Sequence, residues 1–415
     1  MKLVAIPGGA LRGEALIPGD KSCSHRALIL GAMASGTTRI SGLLESDDVL
    51  ATARAVAALG ATVERSGPGE WQVTGARWQS PAEPVDCGNS GTAARLLLGA
   101  CAGVDGLVVT LTGDQSLSKR PMRRVTAPLE RMGARFDGGD DLPITVHGQR
   151  LGGIHHLNVP ASAQVKSALL LAGIASGAAV TVEEPVPSRD HTELMLAEFG
   201  APLTACDIAI AADPSSAAFA LVAAVIVPGS QVTVRGLLVN PARTGLFEVL
   251  EEMGADLTLS GERIVSGEIV ADMRLAHAAL RPCRVTAARV PAMIDEIPAL
   301  AVACAFADGE SVIEGLSELR VKESDRLGAI VAGLIACGVA AIADGDALRI
   351  FGRGTVRGGG HVVTHGDHRI AMAFLVLGLG AEQPVGVGDA EMIATSFPGF
   401  DKVMQGLGAK LREVQ

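Results

Sequence analysis

The stretch VAALGATVERSGPGEWQVTG at residues 56–75 has the pattern that decides the fold. An amphipathic helical run ends at a glycine, and a short alternating strand, a polar turn and a second strand follow. Glycine after a helix adopts the left-handed conformation without a Cβ penalty and so turns the chain into the strand. The segment LERMGARFDGGDDLPITVHG at residues 129–148 repeats these features in the same order. The two stretches predict a repeated helix–glycine–hairpin unit.

Four further copies occur along the chain, one of them weaker and one truncated. They are MLAEFGAPLTACDIAIAA (195–212, the weaker), LEEMGADLTLSGERIVSG (250–267), IACGVAAIADGDALRIFG (335–352) and MQGLGAKLREV (404–414, the truncated). The junction glycines lie roughly 70 residues apart, which is too far for a solenoid of short repeats. We predict an α/β (α+β) protein of two similar globular domains with three repeats each. The simpler alternative is that helix–glycine–strand junctions recur in any α/β protein.

A length of 415 residues exceeds what one average core accommodates and favours two or three domains. Pro228 and Gly229 follow an apolar helix predicted over 214–227 and mark the best boundary. We therefore expect one domain of residues 19–228 and another of residues 1–18 plus 229–415. The strand predicted before Pro18 could belong to either half, and we assign it to the second.

Composition excludes several classes of function. The net charge of −10 argues against non-specific binding to nucleic acid or to an anionic membrane, and 3% aromatic residues without tyrosine argue against a base-stacking surface. The seven cysteines are dispersed without a CxxC pair, which indicates reduced thiols and no zinc site. The N-terminus lacks a leader pattern and the apolar stretches are too short to span a bilayer, so we expect a cytoplasmic protein.

Several predicted helix starts in the first half carry polar and cationic side chains. In PGDKSCSHRALIL, Lys21, Ser22 and Arg26 crowd the start of a helix predicted over 25–34. Free backbone N–H groups, the helix dipole and cations together favour a phosphate or carboxylate ligand. Similar starts occur in CGNSGTAARL, where a helix is predicted from about Ala93, and in SKRPMRR, PASAQVKSA and PSRDHTE. They carry Asn89, Gly91, Thr92, Arg120, Ser162, Gln164, Lys166, Ser188 and Arg189. Each alone could equally be a capped helix with solvated charges.

The second half has three such starts, which add carboxylates to the cations. Asp295 and Glu296 precede an almost wholly apolar helix, where N-capping is the simple alternative. Lys322 and Arg326 are four residues apart and so share one helix face. The remaining candidates are Glu323, a possible proton carrier, and Asp367, His368 and Arg369 before another apolar helix. Several helix N-termini directed at one cleft would form a strong anion site despite the negative total charge.

Together these motifs resemble those of the 5-enolpyruvylshikimate-3-phosphate synthase family over essentially the whole chain. The ordered matches are DKSCSHR, GNSGT, KRPM, ASAQVKSA, SRDHTE, IDEIP, RVKESDR, DHRIAM and SFP. The form ASAQVKSA is similar to the second bacterial class. The resemblance implies the enolpyruvyl transferase fold (an inverse α/β barrel), in which two domains of three βαβαββ units close on an active site in the interdomain cleft.

The resemblance also implies the reaction. The enolpyruvyl group of phosphoenolpyruvate passes to the 5-hydroxyl of shikimate 3-phosphate with release of phosphate, on the shikimate pathway to chorismate and the aromatic amino acids. We expect no cofactor and no metal, because arginine and lysine neutralise the phosphates. The expected partners are these two small molecules, with glyphosate as a possible inhibitor, and the chain is expected to be a monomer.

The motif matches assign roles residue by residue. The expected contacts of shikimate 3-phosphate are Lys21, Ser22, Arg26, Ser162, Gln164, Arg189, Asp295 and Lys322. Those of phosphoenolpyruvate are Lys21, Gly91, Arg120, Gln164, Arg326 and Arg369. Further site candidates, not assigned to either substrate, are Asn89, Thr92, Ser188 and His368. Asp295 would accept the proton of the 5-hydroxyl, and Glu323 or Lys21 would protonate C3. The tetrahedral intermediate would then lose phosphate.

Two positions depart from the family pattern, and both concern affinity rather than the reaction. Many members have lysine where this chain has Thr395 in ATSFP, and others have asparagine where it has Glu318. Gly91 leaves space that alanine would fill at the position linked to glyphosate inhibition, so we expect sensitivity to glyphosate.

Two alternatives remain open at this point. A sister enolpyruvyl transferase acting on UDP-N-acetylglucosamine shares the fold, but it lacks DKSCSHR and uses a loop cysteine, whereas the corresponding region here holds only Cys101 in an apolar helix. A non-catalytic phosphate-binding protein would not need Asp295, Glu323 and Lys21 together.

Overall fold

A computed structural model describes residues 1–414, which fold into two compact units. The first unit contains residues 1–18, 211–264 and 269 onward, and the second contains residues 19–210 and 265–268. The domain boundary therefore lies at 210/211 and not at the predicted 228/229. The helix Pro214–Ile226 is buried on every side in the core of the first unit, so the chain has already changed units before this helix begins.

Within residues 1–414, twenty-two strands and twelve α-helices make up the two units. The strands are β1 (Lys2–Ile6), β2 (Arg12–Ala15), β3 (Thr37–Ser41), β4 (Thr62–Gly67), β5 (Glu70–Thr74), β6 (Val85–Asp86), β7 (Val108–Thr112), β8 (Arg135–Gly138), β9 (Ile144–His147), β10 (Ile154–Leu157), β11 (Val180–Glu183), β12 (Asp207–Ala209), β13 (Gln231–Leu238), β14 (Asp256–Val265), β15 (Glu268–Ala276), β16 (Arg284–Val285), β17 (Asp308–Ile313), β18 (Ala340–Asp344), β19 (Ala347–Arg353), β20 (His361–Val362), β21 (Val385–Val387) and β22 (Lys410–Val414). The helices are α1 (Lys21–Met33), α2 (Asp47–Ala58), α3 (Gly91–Ala102), α4 (Arg123–Arg131), α5 (Ala163–Ser176), α6 (His191–Phe199), α7 (Pro214–Ile226), α8 (Gly245–Glu252), α9 (Ile297–Ala305), α10 (Arg326–Ala336), α11 (His368–Gly380) and α12 (Phe400–Gly406).

Of the six sheets formed by the described residues, five share one arrangement of four strands. In the sheet β6-β7-β9-β8, the first pair is parallel and the next two pairs are antiparallel. The orders β12-β3-β5-β4, β2-β13-β15-β14, β16-β17-β19-β18 and β20-β21-β1-β22 repeat it. The junction glycines have the expected left-handed backbone, as at Gly60 (φ 114°) and Gly254 (φ 101°). The predicted repeat is thus present in the backbone.

The weaker copy of the repeat, around Gly200, and the truncated copy at residues 404–414 differ from the other four copies in their strands. After Gly200 the described chain makes no hairpin. The remaining sheet of the second unit is the parallel pair β10-β11. Pro202 has no backbone N–H to donate at the point where a strand would begin, and β12 pairs with β3 instead. In the truncated copy, β22 completes its hairpin with the N-terminal strand β1, from Lys2 opposite Val414 to Ile6 opposite Lys410.

In each unit the apolar helices are buried and the strands alternate between buried and exposed residues. Helices α7, α9 and α11 pack on one another in the first unit, and α3 packs along α5 in the second. Helices α7, α9 and α11 are apolar along their length, and their polar residues lie in the turn before each helix and in its first turn. None of the helices within residues 1–414 combines the length and the apolarity needed to cross a membrane.

The close contact of α3 with α5 depends on Gly99. A Cβ atom at this position would overlap the carbonyl oxygen and Cα of Ala168. We predict that Gly99→Ala destabilises the second unit by about 1–3 kcal/mol, because backbone rather than a flexible side chain must move. Thermal unfolding checks this. In the same unit Gly152→Ala adds a Cβ in ordinary contact 3.5 Å from the Met132 carbonyl oxygen, and it should melt like the wild type. Equal melting of both variants would contradict the prediction.

Candidate active site

The first unit gathers its candidate residues around the guanidinium of Arg326. This side chain is 1% exposed and donates to Asp367 Oδ2 at 2.8 Å, to Glu323 Oε2 at 2.5 Å and to Asp295 Oδ1 at 3.4 Å. Burial alone would lower the pKa of Arg326, but the three carboxylates raise it overall. The pKa of Asp367 is correspondingly lowered, because the neighbouring Arg326 outweighs the effect of burial. Arg326 and Asp367 are therefore both held in their charged forms.

Asp295 lies between several cations. Lys322 Nζ is 3.4 Å from Asp295 Oδ1, the same distance as Arg326 Nη1, and Arg369 Nη1 donates to the Asp295 backbone carbonyl at 3.0 Å. Three cations and the carboxylates of Asp295, Glu323 and Asp367 thus balance in charge. The two ion pairs at 3.4 Å are longer than ordinary charge-assisted hydrogen bonds.

Asp367 is the member of this cluster to which the sequence reasoning assigned no role. It caps α11 by accepting from the Arg369 N–H at 2.9 Å, and its other oxygen binds Arg326 and the Ser324 hydroxyl. Its place directly before His368 and Arg369 was the available signal, but a capping aspartate has the same pattern in sequence.

The two departures from the family pattern have defined surroundings. Thr395, where a lysine was expected, is buried, and its hydroxyl binds the Met392 carbonyl at 2.7 Å and lies 3.3 Å from His368 Nδ1. This position therefore presents no cation. Glu318 lies in the short 3₁₀ helix Ser317–Val321, directly before Lys322.

In the second unit, a group of candidates surrounds the start of α3. Ser90 caps this helix by accepting from the Ala93 N–H at 3.1 Å, and the helix begins at Gly91, two residues before the predicted start. A Cβ added to Gly91 would lie 3.2 Å from Arg95 Nη1 and 3.3 Å from Arg120 Nη1. Two guanidinium groups therefore converge on one glycine at a helix N-terminus, which is a favourable place for an anion.

Hydrogen bonds connect this group to α5. Arg95 Nη1 donates to Gln164 Oε1 at 2.7 Å, and Gln164 Nε2 donates to Thr92 Oγ1 at 2.9 Å. Arg120 Nη2 donates to Asn89 Oδ1 at 2.6 Å. The sequence reasoning left Arg95 out of the candidates, because a basic residue one turn into a helix resembles an ordinary surface charge.

The motif DKSCSHR forms the start of α1. Asp20 caps the helix by accepting from the Cys23 N–H at 2.8 Å, which starts it at Lys21, four residues before the predicted position. Lys21 pairs with Asp48. Arg26 is buried and donates to Thr192 Oγ1 at 2.7 Å and to Ser167 Oγ at 2.7 Å, while its Nη1 binds the Ser22 carbonyl. Arg26 thereby joins α1 to α5 and α6.

The remaining candidates flank α5 and α6. Ser162 caps α5, with its hydroxyl 3.5 Å from the Val165 nitrogen. Ser188 is buried and donates from its hydroxyl to Glu184 at 2.6 Å, and Arg189 follows it just before α6.

One buried group could be considered as a metal site. Donor atoms of Asp20, Cys23 and His191 lie within 4.8 Å of one another. His191 Nδ1 already shares a hydrogen bond with Glu268 Oε1 at 2.6 Å, and the Cys23 thiol lies 3.8 Å from the same oxygen. The group is thus accounted for as a hydrogen-bond network at the start of α1.

Comparison with known proteins places these motifs in a family. The family model described as EPSP synthase (3-phosphoshikimate 1-carboxyvinyltransferase) matches residues 6–404. The chain is 51% identical to a 3-phosphoshikimate 1-carboxyvinyltransferase of Caulobacter vibrioides (strain NA1000 / CB15N) over 99% of both chains. It is also 51% identical to one of Phenylobacterium zucineum (strain HLK1), over 98% of this chain and 95% of that one.

Solved structures agree with the sequence comparison. An EPSP synthase from Acinetobacter baumannii superposes with a TM-score of 0.87 at 38% identity, covering 100% of both chains. The enolpyruvyl transferase NikO from Streptomyces tendae shares the fold, with a TM-score of 0.75 at 19% identity over 100% of this chain and 98% of that one. The architecture is therefore that of the two-domain enolpyruvyl transferases.

His25 connects the starts of α1 and α3 and provides a pH-dependent test of this geometry. Its Nδ1 shares a hydrogen bond with Thr52 Oγ1 at 2.7 Å, and its Nε2 lies 3.4 Å from the Ser90 hydroxyl. Burial, followed by the charges of Lys21 and Arg26, holds its pKa well below the ordinary value of 6.5.

We predict that the His25 ring stays neutral in the folded protein at pH values well below 6.5, whereas it titrates normally in the urea-unfolded chain. Only the unfolded state then binds this proton, so the stability that His25 contributes is present above pH 6.5 and lost as the pH falls. NMR titration of the histidine rings, assigned with His25→Gln, checks this. A folded-state titration near pH 6.5 would contradict it.

Proposed function

The chain belongs to the EPSP synthase family, and we propose that the residues around Arg326 and around Gly91 bind and activate its two anionic substrates. The enzyme transfers the enolpyruvyl group of phosphoenolpyruvate to the 5-hydroxyl of shikimate 3-phosphate and releases phosphate. This is a step of the shikimate pathway to chorismate and the aromatic amino acids. The observation that supports our assignment best is the carboxylate of Asp295, whose Oδ1 lies 3.4 Å from both Lys322 Nζ and Arg326 Nη1.

Phosphoenolpyruvate needs cations for both its phosphate and its carboxylate. Arg120 near Gly91, together with Arg326 and Arg369, supplies guanidinium groups suited to bidentate contacts with such oxygens. Arg326 is already oriented by Asp367, so it loses little conformational freedom when it binds. Gln164 and Lys21 complete this part of the proposed site.

Shikimate 3-phosphate is assigned to the starts of α1, α5 and α6. Ser22, Ser162, Gln164 and Arg189 lie at or just before these N-termini, where backbone N–H groups favour a phosphate. Lys21 and Lys322 are the proposed cationic contacts outside α5 and α6. Arg26 remains a proposed contact, and its hydrogen bonds to Thr192 and Ser167 support an orienting role as well.

Proton transfer is assigned to the carboxylates of the first unit. When substrate anions draw Lys322 and Arg326 toward themselves, Asp295 loses its ion pairs and becomes the stronger base for the 5-hydroxyl. Glu323, bound to Arg326 at 2.5 Å, or Lys21 then supplies the proton to C3. The C3 methyl group of the resulting tetrahedral intermediate then returns a proton to the same acid, which re-forms the C2–C3 double bond as the C2–O bond to phosphate breaks. Phosphate leaves with the proton that Asp295 accepted.

The alternative substrate UDP-N-acetylglucosamine is not supported by the relatives, which are 3-phosphoshikimate 1-carboxyvinyltransferases. Cys101 lies fully buried in α3, and burial raises its thiol pKa, so it is unsuited to act as an acid. A direct test is phosphate release from phosphoenolpyruvate with shikimate 3-phosphate, with UDP-N-acetylglucosamine as the control acceptor. We further propose that the chain acts as a monomer in the cytoplasm, which size-exclusion chromatography and cell fractionation test.

We predict that Asp295→Asn lowers kcat by about 10³-fold or more, because the amide cannot accept the 5-hydroxyl proton. Affinity for shikimate 3-phosphate should stay within a few-fold, since the amide keeps the shape of the side chain. Steady-state kinetics and isothermal titration calorimetry measure the two effects. Asp344→Asn, an exposed carboxylate change in the same unit, is the control. Activity of Asp295→Asn near that of the control would refute the assignment.

We predict that Gly91→Ala weakens both phosphoenolpyruvate and glyphosate, because the new methyl lies 3.2–3.3 Å from the Arg95 and Arg120 guanidinium groups and displaces them. Glyphosate should inhibit the wild type, and the variant should require at least about tenfold more of it, a change of 1.4 kcal/mol. Inhibition curves at fixed phosphoenolpyruvate measure this. Gly152→Ala should retain wild-type sensitivity, and unchanged inhibition of Gly91→Ala would contradict the placement.

A further inference from the structure

Lys166 is a buried cation in α5 that the proposed mechanism does not use. Its side chain is 7% exposed and lies 2.8 Å from both Glu184 Oε2 and Glu193 Oε1. Its ammonium also donates to the Ser188 carbonyl at 3.4 Å. An ammonium group has three N–H donors, and three protein acceptors are within reach. Lys166 therefore has no donor left for a substrate phosphate, although it follows Ser162 and Gln164 by a few residues.

The two carboxylates bracket a short segment of chain. Glu184 precedes Ser188 and Arg189, and Glu193 follows them in the first turn of α6. Glu184 also accepts from the Ser188 backbone N–H at 3.1 Å, from the Ser188 hydroxyl at 2.6 Å and from Asn158 Nδ2 at 2.5 Å. The segment 184–193 is thus attached to α5 on both sides of Arg189.

Lys166 and Glu184 are both held in their charged forms. Burial by itself would raise the pKa of Glu184, but the hydrogen bonds from Lys166 and Ser188 keep it below its ordinary value. Burial would lower the pKa of Lys166, and its hydrogen bonds to Glu184 and Glu193 raise it instead. One cation and two carboxylates carry a net negative charge, which by itself would repel a phosphate. The group of Lys166, Glu184 and Glu193 therefore cannot bind the substrate phosphate by electrostatic attraction.

We propose that Lys166, Glu184 and Glu193 form a buried clamp that positions Arg189 and Ser188 relative to Ser162 and Gln164 for shikimate 3-phosphate. This inference rests on the proposed assignment of those four residues to that substrate. Asn158 extends the clamp to the start of α5, since its Nδ2 also donates to the Ser162 carbonyl at 3.1 Å. The clamp residues are positioning residues and do not touch the substrate.

The clamp predicts a selective kinetic effect. Glu184→Ala removes the contacts with Lys166, Ser188 and Asn158, so the KM for shikimate 3-phosphate should rise by about tenfold or more. The KM for phosphoenolpyruvate and kcat at saturation should change less than about threefold, because Asp295 and the cations around Arg326 are untouched. Glu193→Gln is the milder variant in case Glu184→Ala folds poorly, because the Glu193 side chain is 39% exposed. This variant should raise the KM for shikimate 3-phosphate by several-fold.

Lys166→Met and Lys166→Arg separate positioning from general stability. Lys166→Met should raise the KM for shikimate 3-phosphate, and Lys166→Arg should recover most of the loss because a guanidinium can still bridge two carboxylates. The matched control is Glu130→Gln, which breaks an exposed 2.7 Å ion pair with Arg123 in the same unit and should leave both KM values unchanged. A merely structural role would lower the melting temperature and kcat in the clamp variants without changing this KM.

Arg189→Gln and Ser162→Ala distinguish failure of the clamp from failure of the site assignment. If these two variants raise the KM for shikimate 3-phosphate and the clamp variants do not, the clamp is refuted and the site stands. If neither set changes this KM, the site assignment fails and the clamp fails with it. A rise in both sets, with recovery in Lys166→Arg, supports the proposal.

Discussion

The burial of apolar helices is the constraint on which the rest of this structure depends. Helices such as α7 and α9 are surrounded on all sides by the core of their unit, so no polar side chain can be placed along them. Their first N–H groups still need acceptors, and polar residues therefore concentrate at the helix starts. Repetition of the unit multiplies such starts. A protein built in this way acquires anion-binding positions as a consequence of how its helices begin.

Charge balance explains how these positions stay ordered in a chain with a net charge of −10. Arg326 is buried with three carboxylates, and Lys166 is buried with two. Burying a lone cation would be costly, and paired carboxylates offset this desolvation. The same pairing fixes the direction of each side chain. The Arg326 cluster includes two ion pairs to Asp295 at 3.4 Å, whereas the ammonium of Lys166 has three protein acceptors within reach.

This contrast separates two uses of similar residues. Lys322 and Arg326 each lie 3.4 Å from Asp295 Oδ1, and in the proposed mechanism substrate oxygens replace these two contacts. Lys166 and Glu184 are paired at 2.8 Å and buried, and exchange there would leave a carboxylate without its cation. The first arrangement suits chemistry and the second suits positioning. In the proposed mechanism both arrangements are needed to bring the carboxylate of Asp295 and the 5-hydroxyl of the substrate together in a reactive geometry.

The sequence by itself determined the features that depend on neighbours in the chain. The helix–glycine–hairpin repeat, the left-handed glycines and the polar helix starts are local, because capping and turn geometry involve residues a few positions apart. The family motifs, and hence the reaction, were readable for the same reason. The predicted starts of α1 and α3 lie a few residues too far along the chain, because Asp20 and Ser90 cap these helices before their apolar runs begin.

Only the tertiary structure decided which groups meet. Arg326 pairs with Asp367 across 41 residues, and Arg26 reaches Thr192 across 166. No periodicity in the sequence encodes such pairs, since they arise from the packing of whole helices. The same holds for the boundary at 210/211, because the unit to which α7 belongs depends on the core that surrounds it. Local chemistry thus set where charges occur along the chain, and long-range packing set their partners.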